Sequence, residues 1–114
     1  MSGEMFKSSE RLDGGQSGVF EYDGETGYFY LYDISKEDGK QIIGHLHVVS
    51  GSIDFSENDV KIVWDAPREV VGLFINECLW AAFHLSGKKF GGNYSREKQS
   101  LIPIEVKSRF LDIV

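Results

Sequence analysis

The stretch Val70-Val71-Gly72-Leu73-Phe74-Ile75-Asn76-Glu77-Cys78-Leu79-Trp80-Ala81-Ala82-Phe83-His84 decides the fold class. Two apolar runs flank Asn76-Glu77, and asparagine tolerates the positive φ of a two-residue hairpin turn, although Glu77 is a poorer second residue than glycine. Neither run alternates with polar residues, so this hairpin is expected to be buried on both faces. Counting outward from the turn pairs Ile75 with Cys78, Leu73 with Trp80, Val71 with Ala82 and Glu69 with His84 on one face. On the other face Phe74 meets Leu79, Gly72 meets Ala81 and Val70 meets Phe83. That register predicts a Glu69–His84 ion pair and a close-packed Gly72–Ala81 pair.

Working toward the N-terminus, Val60-Lys61-Ile62-Val63-Trp64 reads as a strand closed by Ala66-Pro67, and Ser56-Glu57-Asn58-Asp59 suits one helical turn. Gln41 to Val49 is rich in β-branched residues and apolar on both faces, which predicts an interior strand. Further back, Val19-Phe20-Glu21-Tyr22 and Tyr28-Phe29-Tyr30-Leu31-Tyr32 flank the glycine-bearing turn Asp23-Gly24-Glu25-Thr26-Gly27, a second hairpin. Residues 1–17 show no period that would bury a face and read as a flexible lead-in to a single β-rich domain over 18–114. Toward the C-terminus, Ser86 to Gln99 reads as a basic, glycine-rich loop. Ile102, Ile104 and Val106 alternate with Pro103, Glu105 and Lys107 as in an edge strand, while Val106, Phe110 and Val114 also fit a helical face. Together these signals predict an all-β protein, an antiparallel sandwich or open barrel of about seven strands built from hairpins, with little helix.

Composition narrows the function classes. The 114 residues are 41% hydrophobic and 13% aromatic, enough for one core and too few for two. No apolar run approaches the length of a membrane span, and the start Met1-Ser2-Gly3-Glu4-Met5-Phe6-Lys7 lacks the apolar stretch of a secretion signal, so a soluble, cytoplasmic protein is expected. A single cysteine, Cys78, leaves every paired-cysteine zinc motif out, and a buried, inert thiol is the expectation for it.

Twelve basic against 18 acidic residues leave a net charge of −6, unevenly placed. Residues 1–77 carry 15 acidic and 6 basic side chains, net −9, whereas residues 78–114 carry 3 and 6, net +3. Lys88, Lys89, Arg96 and Lys98 surround Phe90 and Tyr94, but four cations beside a loop on an acidic domain are expected to be solvated or to face its acidic part. Nucleic-acid binding is therefore not expected.

Ser17-Gly18-Val19-Phe20-Glu21-Tyr22-Asp23-Gly24-Glu25-Thr26-Gly27-Tyr28-Phe29-Tyr30 and Gly72-Leu73-Phe74-Ile75-Asn76 resemble signatures of an uncharacterised bacterial family, one of the domains of unknown function, and Val60 to Trp64 fits the same pattern. The resemblance spans roughly residues 17–84. It implies a bacterial, single-domain protein and brings no catalytic residues with it. Small proteins of this kind are often carried on mobile gene cassettes, which implies an accessory or immunity role.

Three constellations bear on chemistry. His45 and His47, two apart on a strand, project on one face about 7 Å apart. With His84 they would resemble part of a cupin-type metal site, but the positions where such a site adds a glutamate hold Gly51 and Ser52. Cys78 and His84 are six strand residues apart, about 20 Å, too far for a nucleophile and its base. Gly14-Gly15-Gln16-Ser17-Gly18 precedes a strand and lacks the lysine of a phosphate loop.

Tyr28, Tyr30 and Tyr32 share one strand face opposite Phe29 and Leu31, and Tyr22 is expected to join them from the partner strand. Such a stripe offers contact area at low entropy cost and a hydroxyl that wants water or a partner. The sequence thus favours a non-enzymatic binding module, without cofactor, whose tyrosines Tyr22, Tyr28, Tyr30 and Tyr32 meet a protein partner or a second copy in a homodimer. A metal-dependent or small-molecule enzyme using His45, His47 and His84 is the alternative.

Overall fold

A computed structural model describes residues 4–95, 98 and 100–111. It contains eight strands: β1 Met5–Glu10, β2 Gln16–Tyr22, β3 Thr26–Asp33, β4 Ile42–Ser50, β5 Val60–Trp64, β6 Val70–Ile75, β7 Cys78–His84 and β8 Lys89–Gly91. They form two four-stranded antiparallel meanders, β1-β2-β3-β4 and β5-β6-β7-β8, stacked as a sandwich. The expected β class holds, and among the described residues neither sheet closes into a barrel.

The alternation in β3 explains the packing. Its residues alternate between half-buried and buried, so Phe29 and Leu31 enter the inter-sheet core while Tyr28, Tyr30 and Tyr32 face away from it. From the opposite sheet Val71, Leu73, Ile75, Trp80, Ala81 and Phe83 complete that core. Close approach of the sheets depends on small residues: a Cβ at Gly44 would lie 2.7 Å from Phe83 Cε1 and one at Gly18 2.7 Å from Val71 Cγ2.

The β6–β7 hairpin forms as expected, with Asn76 at φ 51° and Glu77 at φ 70°. Its first two pairs, Ile75–Cys78 and Phe74–Leu79, follow the outward count. A bulge then intervenes, because Trp80 and Ala81 both belong to the inter-sheet core, and the register slips by one. Leu73 pairs with Ala81, Gly72 with Ala82, Val71 with Phe83 and Val70 with His84. The predicted Gly72–Ala81 and Glu69–His84 pairs are therefore overturned.

Both faces of this hairpin are buried because it has two covers. One is the first sheet. The other is the segment after β8, which carries a short helix, α1 Ile104–Lys107, followed by a 3-10 turn, Ser108–Phe110. Ile102, Val106 and Phe110 pack on Val70, Phe74, Leu79 and Ala82. This corrects the edge-strand reading of Ile102 to Lys107: spacing by four, rather than by two, places the apolar side chains on the sheet. Val114, the third residue of that helical spacing, lies outside the described residues. The basic loop also departs from expectation, since Lys89 to Gly91 adds to the sheet as β8.

Two further expectations change. Residues 1–17 are not the flexible lead-in that the sequence suggests, since β1 pairs along its whole length with β2, from Met5–Tyr22 to Glu10–Ser17. Its pattern is invisible in the sequence because only Met5 is buried. Backbone pairing and two reaches to β5 hold it instead: Lys7 Nζ donates to the Val60 carbonyl at 3.1 Å, and Trp64 Nε1 to that of Ser9 at 3.0 Å. Strand β4 lies at the edge of its sheet rather than in the interior. Its free edge accepts hydrogen bonds from Asn93 N to the His47 carbonyl and from Tyr94 N to that of Val48, which blunts it.

Candidate functional site

The two outer faces of the sandwich are not equivalent. The outer face of the second sheet lies under the chain's own C-terminal segment. The outer face of the first sheet has no such cover among the described residues, and its cross-strand register lays out three rows. Phe6, Glu21, Tyr28 and His47 form the first; Ser8, Val19, Tyr30 and His45 the second; Glu10, Ser17, Tyr32 and Ile42 the third. Phe6 is 60% exposed and Ile42 51%, which for side chains of this size marks an uncovered apolar surface.

Within this face the tyrosines are ordered. The rings of Tyr28 and Tyr30 stack with centroids 6.2 Å apart and planes 17° apart, and Tyr28 meets His47 edge-on at 5.3 Å. Tyr32 donates its hydroxyl to Gln41 Oε1 at 2.6 Å. Burial, then the neighbouring Glu21 carboxylate and Tyr28, holds the Tyr30 phenol above the usual tyrosine range, since each disfavours the phenolate.

Tyr22 does not join them. It pairs with Gly27, so it shares the side of Gly27 and Phe29, and it is 4% exposed in the core. Its hydroxyl donates to the carbonyls of Gly24 at 3.0 Å and Gly51 at 2.7 Å, tying two turns together. The even numbering shared by Tyr22, Tyr28, Tyr30 and Tyr32 does not carry across the turn, because parity is reset by the loop length.

Two grooves cross the open face. One of about 650 Å³ runs past Phe6, Tyr28 and Tyr30, and one of about 330 Å³ past Phe6, Tyr30 and Tyr32. Glu21 lines both. The walls include the acidic residues Glu4, Glu10, Glu21, Asp23 and Glu57, and among the described residues no lysine or arginine lines either groove. Asp23 is held below the usual carboxylate range by the backbone N–H groups of Thr26 and Glu25, so it stays charged.

The structure does not bring the histidines together. His45 and His47 lie in the tyrosine rows of the first sheet, whereas His84 ends β7 in the second and its Nδ1 is 3.0 Å from Ser86 Oγ. His47 Nε2 lies 3.1 Å from Ser50 Oγ. No group of three or more His, Cys, Asp or Glu side chains suited to a metal converges among the described residues. Cys78, expected to be buried, is exposed beside the hairpin turn. Of the contributors to the open face, sequence reasoning missed Phe6, whose strand shows no apolar alternation in its sequence, and Glu21, which the β2–β3 turn could have placed beside Tyr28.

A two-sheet β-sandwich with one face covered and one open and aromatic is thus the class to which the molecule belongs. The chain belongs to a family of uncharacterized proteins conserved in bacteria (DUF2251), whose model matches residues 2–103. It is similar to an uncharacterized protein of Haemophilus influenzae, 34% identical over 92 residues, covering 70% of this chain and 55% of that protein. The chain therefore spans about half the length of the curated relative it matches. No solved structure matches it significantly. Among the described residues no helix is long and apolar enough to cross a membrane.

Proposed function

We propose that this chain is a non-enzymatic binding module and that the open face of its first sheet, centred on Tyr28, Tyr30 and Tyr32, is the contact surface for a protein partner. One observation carries the reading: the outer face of the second sheet is closed by Ile102, Val106 and Phe110, whereas the first sheet leaves three tyrosines, Phe6 and Ile42 uncovered among the described residues. Tyrosine provides large, stiff contact area, and an exposed patch rimmed by polar groups is what protein interfaces are built from. His45 and His47 lie in the first sheet and His84 in the second, which favours this reading over an enzyme that uses the three together. In this reading the protein acts in the bacterial cytoplasm by holding another protein, as an accessory or immunity factor does.

The test is site-specific photo-crosslinking in the bacterium that makes the protein. A benzophenone side chain at position 30 is expected to give one discrete adduct, identifiable by mass spectrometry. The same group at position 104, exposed on α1, serves as control. The adduct should disappear when Tyr28→Ser and Tyr32→Ser are added. No adduct at position 30, or the same adducts from both positions, would overturn the reading.

A further inference from the structure

We propose that the occupant of the tyrosine face is a cationic segment, one that presents arginine or lysine side chains in extended conformation across the rows of β2 and β3. The inference rests on the reading of this face as a contact surface and adds the chemistry of what it takes. Three features of the face converge on it. Its two grooves meet at Glu21, and among the described residues their walls hold five acidic side chains and no lysine or arginine. Glu21 stands beside Tyr28 in the register, and its charge acts on Tyr30 one row away, so a carboxylate and two aromatic rings share one part of the face. Tyr28 and Tyr30 stack nearly parallel and are only half-buried.

A guanidinium suits this arrangement because it stacks on a tyrosine face while its N–H groups reach an adjacent carboxylate. An anionic partner, whether an acidic peptide, a phosphate backbone or a lipid surface of negative charge, would meet the carboxylates of Glu10, Glu21 and Asp23. A second copy docked by two-fold symmetry meets the same objection, since it would set Glu10 and Glu21 of one copy against those of the other. Of the basic residues beyond position 77, Lys107 and Arg109 belong to the segment that covers the opposite sheet, away from this face.

Nitrogen-15 labelled protein titrated with hexa-arginine, and separately with hexa-glutamate, tests the proposal by amide shifts. Hexa-arginine is expected to move the amides of Val19, Glu21, Tyr28 and Tyr30 ahead of those of Glu37, Asp38 and Glu77, and to bind less tightly as salt rises. Replacing two exposed carboxylates, Glu10→Gln with Glu21→Gln, should weaken that binding about fivefold, the scale of two surface ion pairs. Tyr30→Ser should weaken it further at constant charge. Shifts spread evenly over all the acidic residues would overturn the proposal, as would a response of the tyrosine face to hexa-glutamate. Movement of these same amides when the protein alone is concentrated would also overturn it, in favour of a second copy, and would leave the contact surface intact. If position 30 forms no cross-link either, the contact surface itself fails.

Discussion

Arg109 donates to the buried carboxylate of Asp65 across 2.8 Å and thereby fastens the C-terminal cover to the turn between β5 and β6. Asp65 is 1% exposed, and its other oxygen accepts the backbone N–H groups of Glu69 and Val70 at 2.8 and 3.1 Å. Glu69, expected to face His84, instead lies 3.5 Å from the same guanidinium.

Removing Arg109 should therefore do more than cost a surface charge. Arg109→Ala leaves a buried carboxylate oxygen without its ionic partner, and a destabilisation of about 1–3 kcal/mol is expected, reduced toward the low end by the solvent that reaches the guanidinium. Chemical denaturation measures it, and hydrogen exchange at Val70 should accelerate in parallel. A variant as stable as the parent would show that the cover holds by apolar contact alone.

Two glycines separate backbone strain from packing. Gly91 and Gly39 have φ of 80° and 85°, but a Cβ on Gly91 would run into the Trp80 carbonyl oxygen and lie 2.5 Å from Ile102 Cδ1, whereas one on Gly39 meets nothing within 4 Å. Gly39→Ala should cost about 1–2 kcal/mol from the left-handed conformation. Gly91→Ala should cost roughly 1–3 kcal/mol more, because the obstructing atom is backbone. Equal melting temperatures for the two variants would contradict the close approach at β8.

Asp33 links stability to acid. The Ser35 hydroxyl, at 2.6 Å, is the main cause holding its carboxyl below the usual range, with the Ser35 N–H and Gln16 Nε2 adding to it. Its folded-state pKa is lower than its unfolded one, so the stabilisation is complete above the unfolded value near 4, approximately, and is lost as pH falls through the folded value. Asp33→Asn should lower the melting temperature at pH 7, and the difference should shrink as pH falls below 4, roughly. A difference independent of pH would assign the effect to hydrogen-bond geometry.

Tyr30 reports on the open face. Its phenol should ionise above the ordinary tyrosine value in an ultraviolet titration, and Glu21→Gln should bring it part of the way down, because burial, the larger cause, remains. An unchanged titration in Glu21→Gln would separate the carboxylate from the ring and remove one support for a cationic occupant.

Local chemistry was legible in the sequence. The Asn76-Glu77 turn, the alternation that divides Phe29 and Leu31 from Tyr28, Tyr30 and Tyr32, and the termination of β5 before Pro67 each follow from residues adjacent along the chain. These features need only backbone sterics and a period of two. What the tertiary structure decided depends on residues far apart. Trp80 and Ala81 share one side because the inter-sheet space accepts both, so the register beyond Phe74–Leu79 could not be counted from the turn. β1 exists through its partners in β2 and β5, and no burial pattern announces it. Ile104 to Phe110 is helical because an apolar sheet face waits beneath it, which selects spacing by four over the equally available spacing by two. The same choice sets the difference between the two outer faces: among the described residues the C-terminal segment covers the second sheet and leaves the first uncovered.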